Sequence, residues 1–254
     1  MVGEQQEIYS SDRYLVTFYD IDPDRLIIVF LSAGGGAIAG ERVEEFRKTL
    51  LQTGVSMVFV EDKWRWWFNH PDTDEMFAAL KPLQDRFAHI GALGESMGAC
   101  GAILATNYLE RIDRVLGLSP QFSILSPFIL FDVDNRVHEE RINPHRFLNF
   151  AKTPSIEKCQ LVYGNCQWQD HLHRAMFEAH GFSTSVIDGA NHGVAAHLKN
   201  NARLVDFIAR FADFDKPFTP AAIDEALGPG WVTDVLVRED HRNPPTENPA
   251  YVAV

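Results

Sequence analysis

A five-residue turn, Gly94-Glu95-Ser96-Met97-Gly98, constrains the fold of this chain more than any other feature. The apolar run before it, at residues 90–93, is typical of a buried strand, and the alanine-rich run after it, at 99–109, is typical of a helix. A strand that passes directly into a helix brings the two backbones close together. Glycines two positions before and after the serine remove the side chains that would collide there. The segment therefore predicts a sharp strand–turn–helix unit with Ser96 at its bend.

The rest of the chain alternates short apolar or β-branched runs with longer amphipathic runs, without internal repeats. This alternation predicts an α/β fold with a mostly parallel central sheet and helices on both faces, because strands buried on both faces read as continuous apolar runs. The predicted strands are Tyr14–Tyr19, 26–31, 56–60, 90–93, 115–118, 160–163 and 184–187. The predicted helices are 42–52, 74–87 with a kink or break at Pro82, 99–109, 172–180, 202–211 and 221–227.

Composition and charge exclude several kinds of partner. The 254 residues are 46% hydrophobic and 23% charged, which suits a globular chain with a sizeable core. The net charge of −12, without a basic stripe, disfavours nucleic acid and anionic membranes, whose binding depends on Lys and Arg. Three irregularly spaced cysteines do not suggest a disulfide framework, and residues 1–13 lack the apolar run of a signal peptide. We therefore expect a cytoplasmic protein with no nucleic-acid or membrane partner.

Composition also divides the chain. Residues 1–213 carry the alternating pattern and are predicted to form one domain, in which the irregular segment 122–153 is a small cap-like insertion. Six prolines interrupt the C-terminal extension, residues 214–254. Within it, Thr219 and Pro220 have the pattern of an N-cap and first turn before a short helix. We expect the rest of the extension to lie on the body of the protein or on a second subunit, as an interaction segment that would allow a homo-oligomer.

Ser96 also has the setting of a nucleophile. A serine on a turn between a strand and a helix lies near the positive end of the helix dipole, and its hydroxyl is accessible. Because a hydroxyl is a weak nucleophile at neutral pH, it needs a nearby base. His192 lies in a small-residue loop directly after the last predicted strand, from which an imidazole can reach the edge of the sheet. We predict Ser96 to be the nucleophile and His192 its base.

Three segments in the expected order resemble the α/β-hydrolase superfamily over about residues 26–211: the glycine-rich loop 32–37, the turn 94–98 and the loop 189–193. More narrowly, Ser96-Met97-Gly98 with Leu118-Ser119-Pro120-Gln121 is similar to a poorly characterised bacterial subgroup. The resemblance implies the α/β-hydrolase fold with at most a small cap and a serine and histidine site, without implying a particular substrate. We expect no cofactor.

The third member of such a site is a carboxylate that orients the imidazole and lies between serine and histidine in sequence. Asp170 is the only carboxylate in the turn after the strand at 160–163. The superfamily often has its acid about three residues after the glycine that ends this strand, where this chain has Gln167. Either Asp170 reaches back to the histidine, or it caps the following helix and the acid is Asp132 or Asp134.

Two backbone N–H groups are needed to stabilise the oxyanion of an acyl-transfer intermediate. Met97, directly after the nucleophile, is predicted to supply one of them. The other is predicted to come from Ser32 or Ala33 in the glycine-rich loop. Such a loop can instead hold phosphate, but this one lacks the P-loop lysine and the G-x-G-x-x-G spacing, which disfavours nucleotide binding.

Loops at the carboxyl edge of a parallel sheet form the ligand site in this architecture. Five aromatic residues in these loops are predicted to line the substrate pocket, although each could instead belong to the core; they are Trp64, Trp66, Trp67, Phe122 and Trp168. His171 and His173 point in different directions on a helix and lack a ligand cluster, so we expect no metal site.

These features favour a serine hydrolase that cleaves an ester or thioester of a small-molecule acyl substrate. The same residues could serve an amidase, a peptidase or an acyltransferase. A binding protein that kept the fold without catalysis is the alternative from another class, and Gln167 at the usual acid position is the feature that favours it.

Overall fold

The computed structural model describes residues 5–34, 36–38, 41–132, 136 and 138–234, with the backbone alone for 36–38, 41 and 42. A short antiparallel ribbon consists of β4 Gly36–Ile38 and β5 Glu41–Val43. The main sheet contains β1 Gln5–Ser10, β2 Tyr14–Tyr19, β3 Arg25–Phe30, β6 Ser56–Asp62, β7 His89–Glu95, β8 Arg114–Leu118, β9 Cys159–Gly164 and β10 Ser183–Ile187.

The strand order of the main sheet is β1-β2-β6-β3-β7-β8-β9-β10. Strands β6, β3, β7, β8, β9 and β10 are parallel to one another, whereas β2 is antiparallel to β6 and β1 is antiparallel to β2. The loops that follow the six parallel strands therefore emerge at one edge, which is where the predicted site residues lie. The mostly parallel sheet predicted from the apolar runs is confirmed.

Helices cover both faces of this sheet. They are α1 Arg47–Thr53, α2 Thr73–Arg86, α3 Met97–Ala105, α4 Trp168–Ala179, α5 Val194–Asn200, α6 Leu204–Ala212 and α7 Pro220–Leu227. Alternate residues of β3 belong to two separate apolar cores: Ile28 lies in the core that contains Phe77 of α2 and Phe177 of α4. Its neighbour Ile27 lies in the core that contains Phe207 of α6.

Several elements differ from the prediction. Strand β1 was not predicted, because an exposed edge strand needs few apolar residues and Gln5–Ser10 is largely polar. The helix predicted at 42–52 is wrong in its first part, since residues 41–43 form β5 and the helix begins at Arg47. The break predicted at Pro82 is absent from α2. Pro82 is exposed, where water can bond the carbonyl that a proline leaves unpaired.

The segment after β8 and the C-terminal segment both pack on this body. Phe150, which is fully buried, donates its N–H to the Phe122 carbonyl at 2.9 Å. The predicted cap of α7 is confirmed, because the Thr219 hydroxyl accepts the Ala222 N–H at 3.3 Å. Residues 231–233 extend the sheet edge beside β10. The division of the chain at residues 122–153 and 213 stays a prediction, and residues 235–254 lie outside the described part.

Candidate active site

Ser96 stands at the bend between β7 and α3. Its backbone has φ 54° and ψ −123°, a combination that residues with side chains rarely adopt, and its N–H donates to the Leu118 carbonyl at 2.7 Å. Both flanking glycines are required by space. A Cβ on Gly94 would lie 2.2 Å from the Gly98 backbone, and a Cβ on Gly98 would lie 2.0 Å from the Phe30 carbonyl oxygen. The crossing of strand and helix thus holds Ser96 in a strained conformation.

Three side chains from separate segments of the chain form a continuous line of hydrogen bonds at this edge. Ser96 Oγ lies 2.9 Å from His192 Nε2. His192 Nδ1 lies 2.9 and 3.1 Å from the two carboxylate oxygens of Asp170. The Asp170 side chain is only 3% exposed, whereas that of His192 is 31% exposed. The structure therefore brings together Ser96, His192 and Asp170, one of the carboxylates that the sequence offered as the third member.

The hydrogen-bond partners of His192 determine which ring nitrogen carries the proton. Because an ionised Asp170 only accepts hydrogen bonds, neutral His192 carries its proton on Nδ1 and presents a lone pair on Nε2 to the Ser96 hydroxyl. Burial lowers the pKa of His192, but the hydrogen bond and charge of Asp170, with the charge of Glu95, outweigh burial and raise it above its ordinary value. The imidazole is therefore both oriented and more basic than a free one.

The start of α4 explains how Asp170 reaches the histidine from a later position than expected. The helix begins at Trp168, with Gln167 in extended conformation at its N-cap position. Asp170 consequently lies inside the first helical turn and does not act as the cap residue. Its carboxylate faces the loop that carries His192.

A buried asparagine joins the loop after β9 to the loop after β10. The Asn165 side-chain amide donates to Asp188 Oδ1 at 2.8 Å, and its Oδ1 accepts the Gly189 N–H at 2.8 Å. Beside it, the Cys166 N–H donates to the Ala190 carbonyl at 2.9 Å. These contacts fix the loop that leads into α4, the helix of Asp170, against the loop that carries His192. The sequence analysis missed Asn165, which has no local motif to mark it.

The alternative acid Asp132 has a different partner. Its carboxylate lies 3.1 Å from Nε2 of the buried His173, whose Nδ1 accepts the Phe122 N–H at 3.1 Å. This pair joins the segment after β8 to α4. Asp134, the other alternative, lies outside the described residues.

One of the predicted oxyanion donors, Ser32 in the glycine-rich loop, is already bonded to another residue. The Ser32 N–H donates to Glu45 Oε2 at 2.7 Å, and its hydroxyl donates to Glu45 Oε1 at 2.5 Å. An N–H that is bonded to a carboxylate is not directed at substrate, so the choice of Ser32 is wrong for this conformation. Ala33 stays the predicted donor from this loop, and Met97, at the first position of α3, stays the other predicted donor. Burial raises the pKa of Glu45 despite its hydrogen bonds from Ser32.

Glu95, the residue before the serine, is a second acid that the sequence analysis did not assign. Its Oε1 accepts the Ala195 N–H at 2.9 Å, in the first turn of α5 just after His192. Burial, with the charges of Glu45 and Asp170, raises the pKa of Glu95 to about 7, against the lowering effects of the Ala195 N–H and of His192. Glu95 therefore links the turn that carries Ser96 to the segment that follows His192.

Replacing Glu95 with glutamine should change how stability depends on pH. The native carboxyl holds its proton up to a pKa of about 7, whereas in the unfolded chain it ionises near 4.5. The contribution of Glu95 to the free energy of unfolding is therefore fully present below pH 4.5 and is lost as the pH rises through about 7. A neutral amide avoids this loss. Relative to wild type, the Tm of Glu95→Gln should rise by at least about 2 °C between acidic and mildly alkaline buffer.

Thermal unfolding followed by circular dichroism at several pH values measures this difference. Glu110→Gln is the matched control, because Glu110 is exposed and its substitution should leave the pH dependence of the Tm unchanged. Parallel Tm curves for wild type and Glu95→Gln would contradict the assignment of a raised pKa to Glu95.

The aromatic residues predicted to line the pocket do not form one wall. Trp67 and Phe122 are core residues, with 0% and 2% of their surfaces exposed. Trp168, in contrast, is 50% exposed at the start of α4, two residues before Asp170. A contact of Trp168 with substrate stays a prediction. The other two belong to the core because a large aromatic side chain in a loop gains most from burial.

The remaining two tryptophans lie beside a buried histidine and carboxylate that share a hydrogen bond. His70 Nε2 lies 2.8 Å from Asp62, with both side chains fully buried. Trp66 stacks on His70 with ring centroids 4.8 Å apart, and Trp64 donates its indole N–H to the Asp12 carbonyl at 3.1 Å. These contacts explain Trp66 as packing of the loop after β6. Trp64 is 45% exposed, so its contact with substrate stays a prediction.

Two features are absent from the described residues, a cluster of metal ligands and a membrane-spanning helix. In this part of the chain, no three His, Cys, Asp or Glu side chains are grouped so that they could hold a metal ion. Likewise, none of the helices described above is long and apolar enough to cross a bilayer.

Comparisons with known proteins identify the fold. No protein-family model and no curated sequence matches the chain. Its structure is similar to an acylaminoacyl peptidase of Pyrococcus horikoshii, with a TM-score of 0.57 and 12% identity over 89% of this chain and 44% of that one. It is also similar to an esterase of Pyrococcus furiosus, with a TM-score of 0.54 and 15% identity over 82% of this chain and 90% of that one. An esterase of Thermogutta terrifontis has a TM-score of 0.53 and 13% identity over 82% and 93% of the two chains.

The chain spans less than half the length of the peptidase and most of the length of the two esterases. Together with the sheet order and the turn at Ser96, these similarities define the class: the chain has the α/β-hydrolase fold, as its sequence motifs implied. The narrower resemblance to a bacterial subgroup stays a prediction.

Proposed function

We propose that this chain is a serine hydrolase that cleaves an ester or thioester through an acyl-enzyme. The observation that carries the proposal is the unbroken line of hydrogen bonds from Asp170 through His192 to Ser96. It combines a buried carboxylate, an imidazole lone pair directed at a hydroxyl, and a strained bend that holds the hydroxyl in place. These are the parts that convert serine into a nucleophile.

In the acylation step, Ser96 Oγ attacks the carbonyl carbon of the substrate while His192 Nε2 takes the hydroxyl proton. The carbonyl oxygen gains the negative charge, and the N–H groups of Met97 and Ala33 stabilise it. Asp170 stabilises the imidazolium. His192 then gives its proton to the leaving oxygen or sulfur, the bond from that atom to the carbonyl carbon breaks, and the alcohol or thiol departs.

In the deacylation step, water attacks the acyl carbon and His192 takes one of its protons. The bond from the acyl carbon to Ser96 Oγ breaks, and the proton returns from His192 to Oγ. The carboxylic acid is released and the site is restored. Because both steps need neutral His192, its raised pKa places the acid limb of the pH–rate profile above the ordinary histidine value.

Two other activities could use the same residues. The similar solved structures include peptidases as well as esterases, so an amide substrate is the first alternative. An acyltransferase would replace water with an acceptor alcohol in the second step. A binding protein without catalysis would keep the fold and leave Ser96 unreactive.

A fluorophosphonate probe with chromogenic substrates tests the proposal. The probe should label wild type at Ser96, as mapped by peptide mass spectrometry, and labelling should be lost in Ser96→Ala. Nitrophenyl esters of graded acyl length should be hydrolysed by wild type and not by Ser96→Ala, and nitroanilides of the same acids should be hydrolysed more slowly. Ser183→Ala, at an exposed serine of β10, is the matched control and should behave as wild type.

The outcomes separate the candidate functions. Faster turnover of anilides than of esters would favour the amidase, and product formation only with an added alcohol would favour the acyltransferase. Absence of both labelling and turnover in the folded wild-type protein would overturn the proposal in favour of a binding protein.

A further inference from the structure

A buried glutamine makes a further contact with the nucleophile, in addition to that of His192. Gln121 follows β8 and is fully buried. Its Nε2 lies 3.1 Å from Ser96 Oγ, and its Oε1 lies 3.0 Å from the indole nitrogen of Trp67. Trp67 is itself fully buried. Neither the oxyanion donors nor the acid and base account for this second set of contacts to Ser96.

The contact with Trp67 determines which end of the amide faces the serine. An indole N–H can only donate a hydrogen bond, so its partner must be the amide oxygen. The amide nitrogen is then directed at Ser96 Oγ. The Cys100 thiol restrains the same residue by donating to the Gln121 backbone carbonyl at 3.3 Å. The orientation of the Gln121 amide is therefore fixed by its chemistry, which removes the usual ambiguity between amide nitrogen and oxygen.

The loop after β6 holds Trp67 in this position at a conformational cost. Trp67 and Phe68 both have positive φ values, of 50° and 60°, which residues with side chains rarely adopt. The buried Asp62 carboxylate compensates by accepting the N–H groups of Trp66 and Phe68 at 3.0 and 2.9 Å. A strained loop that directs an indole N–H at one buried amide is an arrangement expected at functional sites.

The hydrogen-bond pattern at Ser96 defines what Gln121 can do. Ser96 Oγ has one proton, which it donates to His192 Nε2, and its lone pairs can accept from Gln121 Nε2. As the proton moves to the imidazole, negative charge develops on Oγ and the hydrogen bond from the amide becomes stronger. The same charge develops when Oγ leaves the acyl carbon during deacylation.

We propose that Gln121 is a further catalytic residue, whose amide stabilises the developing charge on Ser96 Oγ in both steps, and that Trp67 is the positioning residue that orients it. The proposal rests on the proposed function, because it concerns the nucleophile of that reaction. Gln121 transfers no proton; it only donates a hydrogen bond, so the balance of the two steps is unchanged.

Three variants separate this role from a structural one. Gln121→Met keeps the volume and removes the donor, so kcat should fall about 10- to 100-fold, as for a lost hydrogen bond to a group that becomes charged. The KM should change little, because the contact is to the nucleophile. Gln121→Glu also removes the donor and adds a negative charge, which stabilises the imidazolium of His192 and moves the acid limb of the pH–rate profile to higher pH. Trp67→Phe keeps a ring and removes the indole N–H, so its loss should be smaller.

The most specific test is whether the effect of Trp67→Phe on kcat depends on the presence of Gln121. If Trp67 acts through the amide, the double variant Gln121→Met with Trp67→Phe should have the kcat of Gln121→Met alone. Gln160→Met is the matched control, since Gln160 of β9 is a buried glutamine whose Nε2 contacts Ser185 and not the site. It should lower the Tm without lowering kcat.

Burst kinetics with a nitrophenyl ester measure acylation and deacylation separately, and both rates should fall in Gln121→Met. A kcat within about threefold of wild type for folded Gln121→Met overturns the inference, because a lost hydrogen bond to Oγ must cost more than this. If the fold-loss of kcat in the double variant equals the product of the losses in Gln121→Met and Trp67→Phe, the role given to Trp67 is overturned. Absence of ester turnover and probe labelling in wild type would instead overturn the proposed function, which distinguishes the two failures.

Discussion

Replacing Asp170 with asparagine should lower kcat for an ester substrate about ten-thousandfold, the size of effect that loss of the orienting carboxylate produces in serine hydrolases. Both Asp170 oxygens lie within 3.1 Å of His192 Nδ1. Asparagine can donate to Nδ1 from its side-chain amide, which favours the tautomer with the proton on Nε2. That nitrogen then faces Ser96 as a donor and can no longer take the hydroxyl proton.

The pH dependence of this variant is a second readout. Asp170 raises the pKa of His192 through its hydrogen bond and its charge, against the lowering effect of burial. The residual activity of Asp170→Asn should therefore have its acid limb at lower pH than wild type. Steady-state rates across a pH series measure both the loss and the shift.

Asp132→Asn is the control that addresses the alternative acid. Its carboxylate is bonded to His173, so the substitution should lower the Tm while keeping kcat within about tenfold of wild type. Equal losses of activity in Asp132→Asn and Asp170→Asn would show that the wrong carboxylate has been assigned to His192.

The second large effect concerns the fold. Gly98→Ala should destabilise the protein by about 3 kcal/mol or more, because the added Cβ meets backbone that cannot rotate away. The new methyl would lie 2.0 Å from the Phe30 carbonyl oxygen and 2.8 Å from the carbonyl carbon. Either α3 moves off β3, or the turn that carries Ser96 opens. Activity should fall together with stability.

Gly181→Ala provides the same chemical change without a collision. Gly181 has φ +89°, and among the described residues no atom outside its chain neighbours would lie within 4 Å of the added Cβ. Only backbone strain of about 1–2 kcal/mol remains, which lowers the Tm of a domain of this size by about 2–8 °C. Thermal unfolding of the two purified variants compares them directly. A Gly98→Ala protein as stable as Gly181→Ala would show that the turn tolerates a side chain.

The central strands were predictable because burial on both faces leaves a continuous apolar run, as in β3 and β9. Strand β1 was not, because its sequence is largely polar and it is held in the sheet by hydrogen bonds to β2. Residues 42 and 43 were predicted as helix because Val43 fits a helical spacing, yet Val43 is 51% exposed and pairs in a ribbon. Sequence patterns thus predict buried strands well and predict exposed strands at a sheet edge or in a ribbon poorly.

The site residues also differ in how far the sequence predicted them. Ser96 and His192 lie in short motifs whose glycines mark tight turns, so the sequence identified them locally. The partner of Ser32 could not be identified, because Glu45 approaches it from a separate segment. Gln121 was noted only as part of a resemblance, and its contact with the nucleophile depends on the pairing of β7 with β8. Residues that act through such non-local contacts carry no local signature.

Ninety-six positions separate the proposed nucleophile from its proposed base along the chain, and the base follows β10, the last strand in the order of the described main sheet. During synthesis, a chain that has emerged only as far as β9 contains the serine but no proton acceptor for it. Pairing across so long a separation is a late event in folding. On the proposed function, the unfinished protein therefore does not catalyse the reaction in the cell. Catalysis begins once β10 has joined the sheet, an event that measurements of compaction or helix content do not detect.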